Sequence, residues 1–225
     1  SLVGSEMCIR DRGYLINGIW QDVYLLALPK VHIEDVYVKP LVSKSTLEIE
    51  VTIENRTAKK TEIQLQGNIK EWVNCAGTDI NSAPVPEWTL GEEALRVAPS
   101  KVSVDANASQ KVTLQIPVHE NALKYWTPEQ PNLYALLLFV KDKKQTVDTK
   151  YERFGWREWT LQGTTQCLNG KPYVLHGDSW HFMGIPQMTR RYAWAWFTAI
   201  KGMNGNAVRP HAQVYPRFYM DTVSY

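Results

Sequence analysis

Between Val31 and Arg153 the chain alternates apolar and polar residues with a period of two, the pattern of strands that bury one face. The clearest run is Thr46 to Glu54, with Leu47, Ile49, Val51 and Ile53 on one side and Glu48, Glu50, Thr52 and Glu54 on the other. Val31 to Val38 follows the same rhythm, Asn55-Arg56-Thr57 turns the chain, and Ile63 and Leu65 open the next strand. Val102-Ser103-Val104 and Val112 to Ile116 repeat it, and Leu133 to Lys141 with Thr146 to Arg153 predict a closing hairpin. The Pro-rich stretch Asn81 to Trp88 reads as a long surface loop. Seven or so short strands over roughly 120 residues predict an antiparallel sandwich of immunoglobulin type with one face of each sheet in water. Upstream, Gly18 to Leu25 is strand-like but has no room for a fold of its own, so it reads as the end of a preceding domain.

After the junction Arg153-Phe154-Gly155-Trp156-Arg157-Glu158 the period changes. Asn169-Gly170 is a two-residue hairpin signal, because both turn positions want positive φ. Tyr173-Val174-Leu175 predicts a short strand ending at Gly177, and a helix follows from about Thr189 to Met203, broken by Gly202 and Gly205. In that helix Tyr192, Trp196 and Ile200 lie four apart, with Ala193 and Phe197 beside them, a stripe that needs burial against a sheet. Ala207-Val208-Arg209 is a second short strand. Strand, helix, strand is the unit that starts a parallel sheet or barrel, and ligands in such folds sit just past the carboxyl ends of the strands. That places His181, Arg209 and His211 as candidate binding residues.

Composition narrows this picture. At 225 residues and 44% hydrophobic content, a sizeable core is affordable for one large domain or two smaller ones. A formal charge of +2 gives no reason to expect nucleic acid or an anionic membrane as partner, and Leu133 to Val140, the longest apolar run, is too short to span a bilayer. Three cysteines, none in a close pair, form neither a zinc pattern nor a disulfide framework. Nine tryptophans read first as core filling, with sugar-stacking platforms as the sharper alternative; Trp194 and Trp196 read as packing. His32, His119 and the acidic rows have no metal-like or catalytic spacing and read as solvated surface, so no metal and no cofactor is expected.

The ends carry a different signal. Leu2 to Asp11 resembles a translated sequencing adapter of the transposase-tagging kind, which sets Ser1 to Arg12 aside as non-native, and Thr222 to Tyr225 fits the reverse complement of the same repeat. The expectation is an open reading frame cut at both ends, with Cys8 outside the native protein. The net charge is unaffected, since Glu6 and Asp11 cancel Arg10 and Arg12.

Several motifs then agree with one family. They are Gly18-Ile19-Trp20-Gln21-Asp22-Val23, Trp126-Thr127-Pro128 through Pro131-Asn132-Leu133-Tyr134, Arg153-Phe154-Gly155-Trp156-Arg157, Leu168-Asn169-Gly170-Lys171-Pro172 and Asn206-Ala207-Val208-Arg209. Each is weak alone; in this order and spacing the chain resembles glycoside hydrolase family 2, the β-galactosidases, β-glucuronidases and β-mannosidases. The resemblance implies the tail of a sugar-binding jelly roll over 13–30, an immunoglobulin-like β-sandwich over 31–153, and the first βα units of a catalytic (β/α)8 TIM barrel over 154–225. It implies that His181, four residues after Gly177, lines the sugar site and that Arg209 projects into it. His211 comes one residue earlier than in the family's Arg-x-x-His-Tyr-Pro, with Ala212-Gln213-Val214 before Tyr215-Pro216, and Ser179-Trp180 replaces the usual Asn-Arg pair.

Retaining glycoside hydrolysis uses two carboxyl groups about 5–5.5 Å apart. After residue 155 the chain offers Glu158, Asp178 and Asp221, and the resemblance places both catalytic glutamates beyond Tyr225. The expected function is therefore that of a piece of a β-galactosidase-like retaining glycosidase, inactive as given, whose partner is a carbohydrate and whose full-length form has room to self-associate. The competing expectation is a non-catalytic carbohydrate-binding or cell-surface module of immunoglobulin-like fold, which leaves Lys171 to Arg209 without a purpose.

Overall fold

The computed structural model describes residues 23, 25–75, 88–143, 145–180, 189–210 and 219. Ser1 to Arg12, nearly all of the Gly18 to Leu25 piece, positions 81–87 of the Pro-rich segment, His181, His211 and Thr222 to Tyr225 lie outside the described residues. The fold is mainly β.

Seven strands make up the two main sheets of the first compact unit: β1 (Val31–Leu41), β2 (Thr46–Asn55), β3 (Thr61–Asn74), β4 (Trp88–Val104), β5 (Ala108–Pro117), β6 (Leu133–Asp142) and β7 (Gln145–Gly155). They form two antiparallel sheets, β1-β2-β5 and β4-β3-β6-β7. The alternation explains why these sheets face each other. Leu47, Ile49, Val51 and Ile53 of β2 share one buried cluster with Leu65 and Ile69 of β3 and Leu136, Leu138 and Val140 of β6. On the outer side of β2, Glu50 is paired with Lys39 and Lys111. Hydrogen bonds from Lys111 and then Lys39 hold its carboxyl below the usual carboxylate range.

Asn55 ends β2 and is fully buried. Its Nδ2 donates to the carbonyls of Lys59, Val104 and Asp105 at 2.9, 3.1 and 3.0 Å, and its Oδ1 accepts from the Thr57 N–H at 3.0 Å and the Thr57 hydroxyl at 2.7 Å. One amide thus closes the turn that the sequence predicts and ties it to the end of β4.

One expectation is extended in this unit and one is corrected. Val102-Ser103-Val104 is the last stretch of a 17-residue strand whose register against β3 slips between Leu65 and Gly67, Ile69 and Lys70, and Lys70 and Trp72. Each slip resets which side chains face the core, so the period-two signal is lost along β4. His32, read as solvated surface, is fully buried. It lies opposite Glu54, on the outer side of the ladder, so outward orientation here does not mean contact with water.

The compact unit also takes in the residues from the junction to Tyr173. Its last part is a small antiparallel sheet, β8 (Trp159–Gln162), β9 (Thr165–Leu168) and β10 (Lys171–Pro172). The Asn169-Gly170 turn takes φ of 52° and 77°, as a two-residue hairpin requires. Glu158 binds this sheet to the sandwich. Its carboxylate accepts from the Ser43 N–H at 2.7 Å and the Ser43 hydroxyl at 3.2 Å, in the one-turn 3-10 helix Val42–Lys44. Its N–H donates to Asn169 Oδ1 at 2.9 Å, and Asn169 Nδ2 donates to the Trp126 carbonyl at 3.1 Å. The Trp126 ring lies under the Arg157 guanidinium, 4.0 Å from it, and against Gly155, where an added Cβ would meet the Trp126 Cβ at 2.9 Å. Burial pulls the Arg157 pKa below its usual value.

A second compact unit contains β11 (Gly177–Trp180), the helix α1 (Arg190–Gly202) and β12 (Ala207–Pro210), with β11 and β12 parallel. The predicted strand at Tyr173-Val174-Leu175 is not formed; the ladder begins at Gly177, where that strand was expected to end. Tyr173 instead serves the small sheet: its N–H donates to Gln166 and its ring meets Trp159 edge-on at 5.6 Å. The helix falls where the pattern predicts it. Thr189 caps its start, accepting from the Tyr192 N–H, and Asn204, at φ 60°, ends it. The buried face is the expected stripe without Trp196: Ala193 and Ile200 are buried, Phe197 and Tyr192 half-buried alongside, and Val208 and Tyr219 pack against Ala193. Trp196 stacks on Tyr192 at 6.4 Å, and both Trp194 and Trp196 stay more than a third exposed.

Candidate functional site

The parallel pair β11–β12 positions the candidate site among the described residues. Its start is fixed by Asn206, whose Oδ1 accepts from the His176 N–H at 2.7 Å and whose Nδ2 donates to the Val174 carbonyl at 2.9 Å. The Asn206 and Ala207 N–H groups both donate to the His176 carbonyl. The first residue of the Asn-Ala-Val-Arg motif is thus a backbone clamp, a role that spacing alone did not reveal.

Gly177 lets the strands approach. A Cβ there would lie 2.2 Å from the Ala207 carbonyl oxygen and 2.9 Å from the Ala207 Cβ, so neither atom can yield without moving β12. Gly177→Ala is therefore expected to loosen this strand pair by about 1–3 kcal/mol, seen as faster amide exchange at Ser179 and Arg209 with the sandwich unchanged. Normal protection at those amides would remove the close-approach argument.

Arg209 sits near the carboxyl end of β12, opposite Ser179, and its Nη1 donates to Ser179 Oγ at 3.1 Å. The pair is exposed, leaving the remaining guanidinium N–H groups able to reach a ligand oxygen. Asp178 Oδ1 accepts from the Ser179 N–H at 2.7 Å. The structure therefore brings Arg209 together with Ser179, a residue that the sequence reading noted only as a departure from the family pattern; His181 and His211 are outside the described residues. Asp178 is the single carboxylate on the described residues of this unit, and Glu158 is committed to Ser43 and the Asn169 turn.

Of the remaining aromatic groups, Trp72 and Trp88 stack at 5.7 Å, Trp88 meets Tyr151 at 5.6 Å, and Arg153 covers Trp72 at 4.8 Å. These rings pack on each other as one clump on the four-stranded sheet, the arrangement of side-chain packing.

A family profile described as glycosyl hydrolases family 2 matches residues 31–157. The chain belongs to that family. It is 29% identical over 166 residues to a β-galactosidase of Streptococcus thermophilus, covering 74% of this chain and 14% of that protein. It is 27% identical over 226 residues to a β-galactosidase of Vibrio vulnificus, covering 96% of this chain and 20% of that protein. The chain thus spans about a seventh to a fifth of the length of these relatives. Among solved structures, a family 2 member from Bacteroides cellulosilyticus superposes with a TM-score of 0.71 at 16% identity, over 88% of this chain and 24% of that one. A Bacteroides uniformis β-glucuronidase gives 0.65 at 21% identity, over 88% and 23%. These structural likenesses show the fold.

Proposed function

We propose that this chain is part of a retaining glycoside hydrolase that cleaves terminal β-glycosidic bonds, β-galactosidase-like in substrate. In this reading 31–153 is an immunoglobulin-like sandwich acting as scaffold, 13–30 is the end of a sugar-binding jelly roll, and 154–225 opens a (β/α)8 barrel. Arg209, His181 and His211 hold sugar hydroxyls or a neighbouring carboxylate through charge-assisted hydrogen bonds. The partner is a carbohydrate, with neither nucleic acid nor membrane involved. The observation that carries the reading is Arg209 near the carboxyl end of a parallel strand, in a chain whose sandwich matches the family profile.

Hydrolysis with retention needs one carboxyl group to act as acid and base and a second as nucleophile. Asp178 cannot fill both roles, so the 225-residue chain by itself is expected to be inactive. The test is an assay of this chain, and of a longer protein containing it, on chromogenic β-galactoside, β-glucuronide and β-mannoside. The longer protein should turn over the galactoside fastest, and the isolated chain should turn over none. In the longer protein Arg209→Gln should lower kcat/KM about 10- to 100-fold, the loss of one charged hydrogen bond of about 1.5–3 kcal/mol. Full activity with Arg209→Gln would remove Arg209 from the site, and hydrolysis by the isolated chain would overturn the carboxylate assignment.

A further inference from the structure

Three ionisable side chains converge on the outer side of the three-stranded sheet, within the sandwich. His32 of β1 lies opposite Glu54 of β2. The register slip between Ile33 and Asp35 leaves Glu34 without a cross-strand partner, and bulges of this kind re-aim a side chain. Glu34 turns to His32: the Nε2 of His32 is 3.1 Å from Glu34 Oε2 and 3.3 Å from Glu54 Oε2. Arg56 Nη2 donates to the same Glu54 oxygen at 2.8 Å. Lys150 binds the Glu34 backbone carbonyl rather than its carboxylate.

His32 is fully buried, and among the described residues its Nδ1 has no hydrogen-bond partner. An ion on Nε2 puts the ring proton on Nδ1, where no acceptor among the described residues meets it, a cost that the metal–ligand bonds have to exceed. On the Nε2 side, one proton has to serve two carboxylate oxygens, and without it a lone pair faces two anions. A divalent cation removes the conflict, because the nitrogen and one oxygen from each glutamate all become ligands.

The geometry suits this. Ligands about 2.0–2.2 Å from a tetrahedral ion stand about 3.3–3.6 Å from one another, and the two nitrogen–oxygen separations are within a few tenths of that. All three ligand atoms lie within 4.8 Å of each other. Glu34 is 52% exposed, which gives the ion an entry path and a solvent ligand, and Arg56 is the outer partner that orients Glu54. An imidazole with two carboxylates selects a first-row transition ion over calcium or magnesium. We propose that His32, Glu34 and Glu54 form a binding site for a divalent transition-metal ion such as zinc, pinning the start of β1 to the end of β2.

The test uses the untagged 225-residue chain, stripped with chelator and titrated with cobalt(II) alone, then with zinc in competition. Saturable one-to-one d–d absorbance displaced by zinc is expected, together with a rise in Tm on zinc addition. Glu34→Gln, at a half-exposed position that spares folding, should weaken cobalt binding at least about 10-fold. Glu54→Gln should do the same, while Glu62→Gln, an exposed carboxylate elsewhere on the sandwich, should leave it unchanged. Because His32 is fully buried and its replacement disturbs the fold, ligation by His32 is read from its ring-nitrogen chemical shift in the intact chain. Absence of saturable absorbance overturns the proposal. So does unchanged affinity in Glu34→Gln, which would place the ion on surface histidines or thiols.

Discussion

Replacing Asn55 with leucine is expected to lower the melting temperature of the sandwich unit by about 6–12 °C. The amide is fully buried and serves the carbonyls of Lys59, Val104 and Asp105 and the N–H and hydroxyl of Thr57. Leucine matches its shape but can neither donate nor accept. Each buried group left unpaired costs about 1–3 kcal/mol, and several are orphaned together, so the loss is at least about 3 kcal/mol. For a unit of this size each kcal/mol moves the midpoint by about 2–4 °C. Asn55→Asp tests the donor side separately, because a carboxylate turned toward three carbonyls is worse than no amide. Calorimetry on both variants decides the matter: a midpoint within about 2 °C of the parent would mean that water replaces the amide.

Trp126→Ala is expected to cost about 3–5 kcal/mol, the range for removing a large buried aromatic side chain. The ring is 9% exposed, with Arg157 over one face and Gly155 against its edge. Deleting it leaves the Arg157 guanidinium, which packing has desolvated, without its aromatic partner. Guanidinium denaturation should show a lower midpoint at unchanged slope. Trp126→Phe, which keeps a π face, should recover more than half of the loss. If alanine were tolerated within about 1 kcal/mol, the ring would be filling space that the chain can close.

The parts of this fold legible in the sequence are those where one local signal acts alone. Thr46 to Glu54 alternates without interruption, and β2 runs Thr46–Asn55. Asn169-Gly170 needs only two residues to specify its turn, and Thr189 with the stripe that follows marks α1. Errors arise where a longer-range contact decides. Tyr173-Val174-Leu175 is apolar and β-prone, yet the ladder belongs to Gly177-Asp178-Ser179-Trp180, because only a glycine admits the Ala207 backbone. His32 alternates outward like the glutamates around it, and no pattern in β1 announces that the outer side is covered there. The same limit applies to the candidate site. Arg209 could be picked out from its motif, but Ser179 and Asn206 acquire their roles only from strand pairing.

The bond between Glu158 and Ser43 and the reach of Asn169 to Trp126 set where this polypeptide can be trimmed. A truncation after Arg153 would discard both, along with the Arg157 cover, and leave a raw edge on an otherwise finished body. Ending at Tyr173 keeps every one of those attachments. Any chimaera between relatives should therefore be spliced between Tyr173 and Val174, so that the hairpin travels with the sandwich as its permanent handle.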